Sequence, residues 1–138
     1  MADYTVVSAD EVDDAYEGSD VPGEYRRLTD ALGCEQVSIS LTRIPPHCDF
    51  EQGTGHRHEE IEEIYLVARG TLTMRFDDEV RELPAGSVAR VAPGTLRSHR
   101  NLGEEPVELW AISPRVYRSE ATKVDDFWEA DPAARQER

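Results

Sequence analysis

Between Val37 and Ile112 the chain is cut into short segments by glycine and proline, at intervals that leave room for strands but not for helices of ordinary length. Val37, Ile39 and Leu41 alternate with Ser38, Ser40 and Thr42, the period-two pattern of a half-buried strand that Pro45-Pro46 ends. Ile61 to Val67 is rich in Ile, Leu, Val and Tyr and closes at Arg69-Gly70. Leu72, Met74 and Phe76 alternate with Thr71, Thr73 and Arg75 before Asp77-Asp78 turns the chain. Val80–Leu83, Ser87–Val91, Arg97–Arg100 and Val107–Ile112 complete the series, with breaks at Pro84-Ala85-Gly86, Pro93-Gly94 and Asn101-Leu102-Gly103. The pattern predicts an all-β sandwich or barrel.

The ends read differently. Residues 1–33 form an acidic arm in which Tyr4-Thr5-Val6-Val7 could add an edge strand. Glu24 to Leu32 follows the Val21-Pro22-Gly23 turn as a short strand or helical turn before Gly33. Residues 34–118 carry the barrel. The tail, 119–138, places Val124, Phe127 and Trp128 at helical spacing, which predicts a short amphipathic helix packed on the barrel or on a second subunit. A length of 138 residues allows one such domain.

Charge narrows the partners. The formal net charge is −14, from 29 acidic and 15 basic side chains, so phosphate backbones and anionic lipid surfaces would both repel the molecule. Nucleic acid and membrane are therefore excluded as expected partners. No apolar run approaches the ~18 residues of a membrane span, and the acidic start Met1–Asp14 lacks the basic, apolar character of a signal peptide, so the expected location is cytoplasmic. Cys34 and Cys48 show no paired spacing and read as reduced thiols.

The most informative tripeptide is His56-Arg57-His58. On a strand, residues i and i+2 face one side, about 6–7 Å apart along the backbone. Two imidazoles can thus converge on one ion, and a bend before Glu63 would return a carboxylate to them. Two imidazole nitrogens and a carboxylate oxygen suit a divalent transition metal such as Fe, Mn, Ni, Cu or Zn. His56, His58, Glu63 and Gly70 fall at the intervals of the first motif of the cupin superfamily, with Phe50 where that motif has its first glycine. Gly86, Gly94 and Asn101 match the second motif, with Ala92 in place of its proline and Arg97 in place of its histidine. Over residues 36–115 the chain resembles a cupin.

The resemblance implies an all-β cupin jelly-roll β-barrel, here with a short C-terminal helix, often dimeric, whose site lies inside the barrel mouth. It also implies a metal held by His-x-His, the glutamate and the later histidine. Arg97 cannot take that last role, because a guanidinium stays protonated and has no lone pair to offer. Three readings stay open. His99, one rung further along, completes the metal site with His56, His58 and Glu63, and His47 is a further spare imidazole. Alternatively there is no metal, and Glu63 and Arg97 form an ion pair. In the third, the metal stays on three ligands and Arg97 binds a substrate anion bidentately.

The leading expectation is a metal-dependent barrel that binds or transforms a small anionic molecule, with Arg97, Tyr65 and Trp110 toward the substrate. The alternative is a metal-free binding or structural barrel closed by Glu63–Arg97. Packing is the commoner explanation for Tyr65, Met74, Phe76 and Trp110, and Tyr25, Arg26 and Arg27 could cover the mouth. A homodimer is expected. The sequence shows no nucleophile constellation and no phosphate-cradling glycine loop, so catalytic residues stay unknown. Isomerase, decarboxylase and dioxygenase chemistry are not distinguished, since the cupin fold hosts all three.

Overall fold

The computed structural model describes residues 3–118 and 120–128. The alternating segments between Val37 and Ile112 form strands as expected, within a set of ten: β1 (Glu24–Arg27), β2 (Val37–Ile44), β3 (Gly55–His58), β4 (Glu63–Arg69), β5 (Thr71–Phe76), β6 (Glu79–Pro84), β7 (Val88–Val91), β8 (Arg97–Arg100), β9 (Val107–Pro114) and β10 (Ala121–Val124). They make two antiparallel sheets of five, ordered β1-β2-β9-β4-β7 and β10-β3-β8-β5-β6. The architecture is a jelly-roll barrel whose two inner faces close on one core. A single turn of helix, α1 (Thr29–Leu32), follows β1 and stops at Gly33, which takes the left-handed conformation of a helix C-cap. No described helix is long and apolar enough to cross a membrane.

Register decides which residues look inward. Ser40 pairs with Ala111 and Ala111 with Tyr65; Leu41 pairs with Trp110 and Trp110 with Leu66. Directly paired residues share a face. The inner face of this sheet therefore carries Ser38, Ser40, Thr42, Tyr65, Ala111 and Ser113, while Ile39, Leu41, Ile64, Leu66, Trp110 and Ile112 form its outer face. At the closed end the inner faces fill with a core of Ile44, Val67, Leu72, Met74, Val107 and Leu109. Asn101, fully buried, pins the adjoining loop: its Nδ2 faces the carbonyls of Ile44, Pro45 and Glu105 at 3.1, 3.0 and 2.8 Å, and its Oδ1 accepts from the Gly103 N–H. That is the physical role of the motif asparagine, which supplies both a donor and an acceptor where backbone groups would otherwise go unpaired.

Two expectations for the ends are corrected. Tyr4 to Val7 makes no strand, and Tyr4 and Val6 are 77 % and 83 % exposed. The edge beside β1 is taken instead by Asp14, which bridges to Arg26 and accepts the Tyr16 and Tyr25 N–H groups on Oδ1. The start of the tail is a strand rather than a helix, because β10 pairs along β3 from Ala121↔His58 to Val124↔Gly55. Phe127 then packs flat on Gly55, where any Cβ would collide with its ring. Trp128 donates from Nε1 to Ser98 Oγ at 2.9 Å. The rest of the expected helix, 129–138, lies outside the described residues.

Candidate metal centre and cavity

The strand period brings the imidazoles together as their spacing requires. His56 and His58 both leave β3 on its inner face, with ring centroids 5.2 Å apart. Glu63, the first residue of β4, returns across the bend between them. One donor atom from each of His56, His58 and Glu63 lies within 4.8 Å of the other two, and all three side chains are half-buried. Ligands of a common ion at ~2.1 Å sit about 3 Å from one another, so small rotamer adjustments would close the set.

The surrounding carboxylates fit that role. Glu120 accepts from His58 Nδ1 and from the Glu59 and Glu60 N–H groups at 2.8 and 2.9 Å. This leaves His58 Nε2 facing Glu63 Oε1 at 4.0 Å. Burial works against the Glu120 charge, but the Glu60 N–H and His58 outweigh it and hold its carboxyl below the usual range. Behind the other imidazole, Glu51 Oε2 lies 3.9 Å from His56 Nδ1. The Glu120 carboxylate behind His58 fixes that ring's tautomer and angle, as metal-ligating histidines require, whereas Glu51 stands near His56 without a hydrogen bond to it.

Arg97 sits opposite His56 on β8, fully buried. Its Nη2 donates to Glu63 Oε1 at 2.8 Å, Nη1 to the Thr95 carbonyl at 3.1 Å and Nε to Tyr65 Oη at 3.3 Å. With every nitrogen engaged by the protein and no exposure to the cavity, it is not placed as the substrate-facing cation considered from sequence. It forms the ion pair of the metal-free reading, on the same Glu63 oxygen that faces His58. Tyr65 does line the cavity, and burial together with the Glu63 charge pushes its phenol well above the usual value.

His99 is also placed away from the cluster. Its Nε2 lies 2.8 Å from Glu51 Oε1, and its buried Nδ1 has no partner among the described residues. Burial opposes both charges of this pair, but their mutual attraction wins: Glu51 is lowered to about 2 and His99 is raised. Trp110 points to the outer face of the sheet and does not line the cavity, because its strand parity is opposite to that of Ala111. His47 is 59 % exposed on its side chain and pairs with Glu104, far from any ligand role.

A cavity of about 830 Å³ opens from these groups to the barrel mouth. Its walls include His56, His58, Glu63, His99 and Glu51, the hydroxyl row of β2, and Tyr16, Tyr25 and Phe50 at the rim. Sequence reasoning missed Glu51 and Glu120. Glu51 lies in a loop without period, and Glu120 precedes a segment whose spacing suggested a helix.

Comparisons with known proteins agree with this architecture. A cupin protein from Bacteroides fragilis is 25% identical and superimposes with a TM-score of 0.66 over 87% of this chain and 91% of its own. A sugar phosphate isomerase from a cupin superfamily, from Silicibacter pomeroyi, is 23% identical with a TM-score of 0.61, over 75% of this chain and 71% of its own. A predicted oxalate decarboxylase from Thermotoga maritima is 21% identical with a TM-score of 0.63, over 81% of this chain and 100% of its own. No curated protein matches the chain by sequence. The family model for the cupin domain matches residues 40–113, more than half of the chain and the span that holds His56, His58 and Glu63, and the chain therefore belongs to the cupin-domain family.

Proposed function

We propose that the barrel binds a divalent transition metal, one of Fe, Mn, Ni, Cu or Zn, on His56, His58 and Glu63 and presents it to a small organic anion in the cavity. The convergence of three donor atoms within 4.8 Å, at the end of a cavity large enough for a small molecule, carries this reading. Such an ion supplies Lewis acidity toward a carboxylate, carbonyl or phosphate oxygen. The chain's own residues do the rest: Glu120 orients the His58 imidazole, and Arg97, braced by Tyr65, holds Glu63 in place. Sugar phosphates and oxalate, named for two of the structural neighbours, are both small organic anions.

Chelator-stripped protein titrated with each of the five ions tests the reading. Uptake of a single ion per chain, abolished in His56→Ala/His58→Ala, is expected; no uptake of any of the five ions by the unmutated protein refutes it. The 2.8 Å Arg97–Glu63 pair favours a second reading, a metal-free ligand-binding barrel. In that case only Arg97→His takes up metal. The proposal extends to a homodimer, the common assembly of a small barrel of this kind. Sedimentation showing only monomer at micromolar concentration removes that part.

A further inference from the structure

The inner wall of the cavity carries a pattern that the metal reading does not use. Ser38, Ser40 and Thr42 occupy successive inward positions on β2, and Ser113 on β9 pairs directly with Ser38. Among the described residues, Ser38 and Ser40 make no side-chain hydrogen bond, and Ser113 Oγ donates only to the neighbouring Pro114 carbonyl at 3.2 Å. An apolar ligand pressed on this wall would strip water from those hydroxyls and return no hydrogen bonds. A ligand with hydroxyls of its own replaces the water in kind.

The charges around the cavity are equally selective. The chain has 29 acidic and 15 basic side chains, and most described arginines lie within salt-bridge distance of a carboxylate. Two cavity-lining cations do not: Arg27 and Lys123 have no carboxylate at that distance among the described residues. Arg27 pairs in register with Ser40, and its guanidinium lies over the Tyr25 ring at 5.4 Å. Lys123 pairs with His56 and so shares its inward face. One free cation thus comes from each sheet. The cavity's carboxylates are matched instead: Glu63 by Arg97, Glu51 by His99 and Asp30 by Arg115. In so acidic a protein, free cations beside neutralised carboxylates make the cavity a local anion site.

We infer that the ligand is a polyhydroxylated organic anion, its carboxylate or phosphate held between Arg27 and Lys123 and its hydroxyls by Ser38, Ser40 and Ser113. The inference rests on the cavity being the binding site, but not on a metal being bound there.

Calorimetric titration tests it, on protein with and without bound Mn²⁺. The probes are gluconate and glucose 6-phosphate, compared with sorbitol, which has hydroxyls but no charge, and hexanoate, which has charge but no hydroxyls. At least one of the two hydroxylated anions is expected to bind about tenfold or more tightly than both comparators. Which of them binds separates carboxylate from phosphate. Arg27→Gln/Lys123→Gln is expected to weaken that binding by about tenfold or more while leaving Mn²⁺ affinity unchanged. Ser38→Ala/Ser40→Ala is expected to reduce the preference over hexanoate. Hexanoate binding as tightly as gluconate, neither hydroxylated anion binding, or full affinity in the glutamine variant would each overturn the inference. If Mn²⁺ fails to bind while the anion still depends on Arg27 and Lys123, the metal reading falls and this one stands.

Discussion

Replacing Arg97 by methionine keeps the side chain's bulk and removes its charge, which separates the two tasks Glu63 performs. In the native barrel Glu63 is 13 % exposed and Arg97 1 %, with 2.8 Å between their charged atoms. Removing one partner of such a pair leaves an uncompensated carboxylate, at a cost of about 3 kcal/mol. For a domain of this length that is roughly a 10 °C fall in Tm. The loss should be largest in chelator, where nothing else neutralises Glu63. A divalent ion at 100 times its Kd stabilises the native protein by about 2.7 kcal/mol. Without the neighbouring guanidinium the ion should bind about tenfold more tightly, a further ~1.4 kcal/mol. The deficit of Arg97→Met should therefore shrink to roughly half when metal is added. Urea unfolding of both proteins, with chelator and with Mn²⁺, measures all four corners. An equal deficit with and without metal, or none in chelator, refutes the claim that Arg97 and the ion share Glu63.

Other perturbations follow from the same geometry. Glu120→Gln keeps the shape behind His58 but removes its charge, and calorimetry should show metal affinity lowered by about 10–100-fold. Asn101→Ala leaves buried carbonyls and the Gly103 N–H unpaired, and should cost about 2–4 kcal/mol in urea unfolding. Chelator-treated protein should lose stability in both pH directions through Glu51 and His99. Glu51, lowered from 4.5 to about 2, contributes stability that is complete above 4.5 and lost as pH falls toward 2. His99, raised from 6.5, contributes stability that is complete below 6.5 and lost as pH rises through its folded value. Glu51→Gln should flatten both limbs in denaturation measured across pH; unchanged limbs would show that this pair does not set them.

The strands and the His56–His58–Glu63 cluster were legible because they depend on local periodicity. Side chains two apart on a strand must share a face, and glycine and proline mark where strands stop. Periodicity does not say which face turns inward. On β2 it separated Ser38, Ser40 and Thr42 from Ile39 and Leu41, but pairing with β9 and β4 decided that the hydroxyls line the cavity. The same parity sent Trp110 outward. The tail shows a similar limit: Val124, Phe127 and Trp128 suit a helix, yet the free edge of β3 and the bare backbone at Gly55 draw the start of the tail into a strand. Glu51 and Glu120 reach the histidines from segments distant in sequence or without pattern, and of the roles open to Arg97 its burial favours partner of Glu63 over substrate clamp. By itself, then, the sequence determined the fold and the three residues that converge. Long-range pairing alone decided what surrounds them, because contacts between distant segments leave no period in the chain.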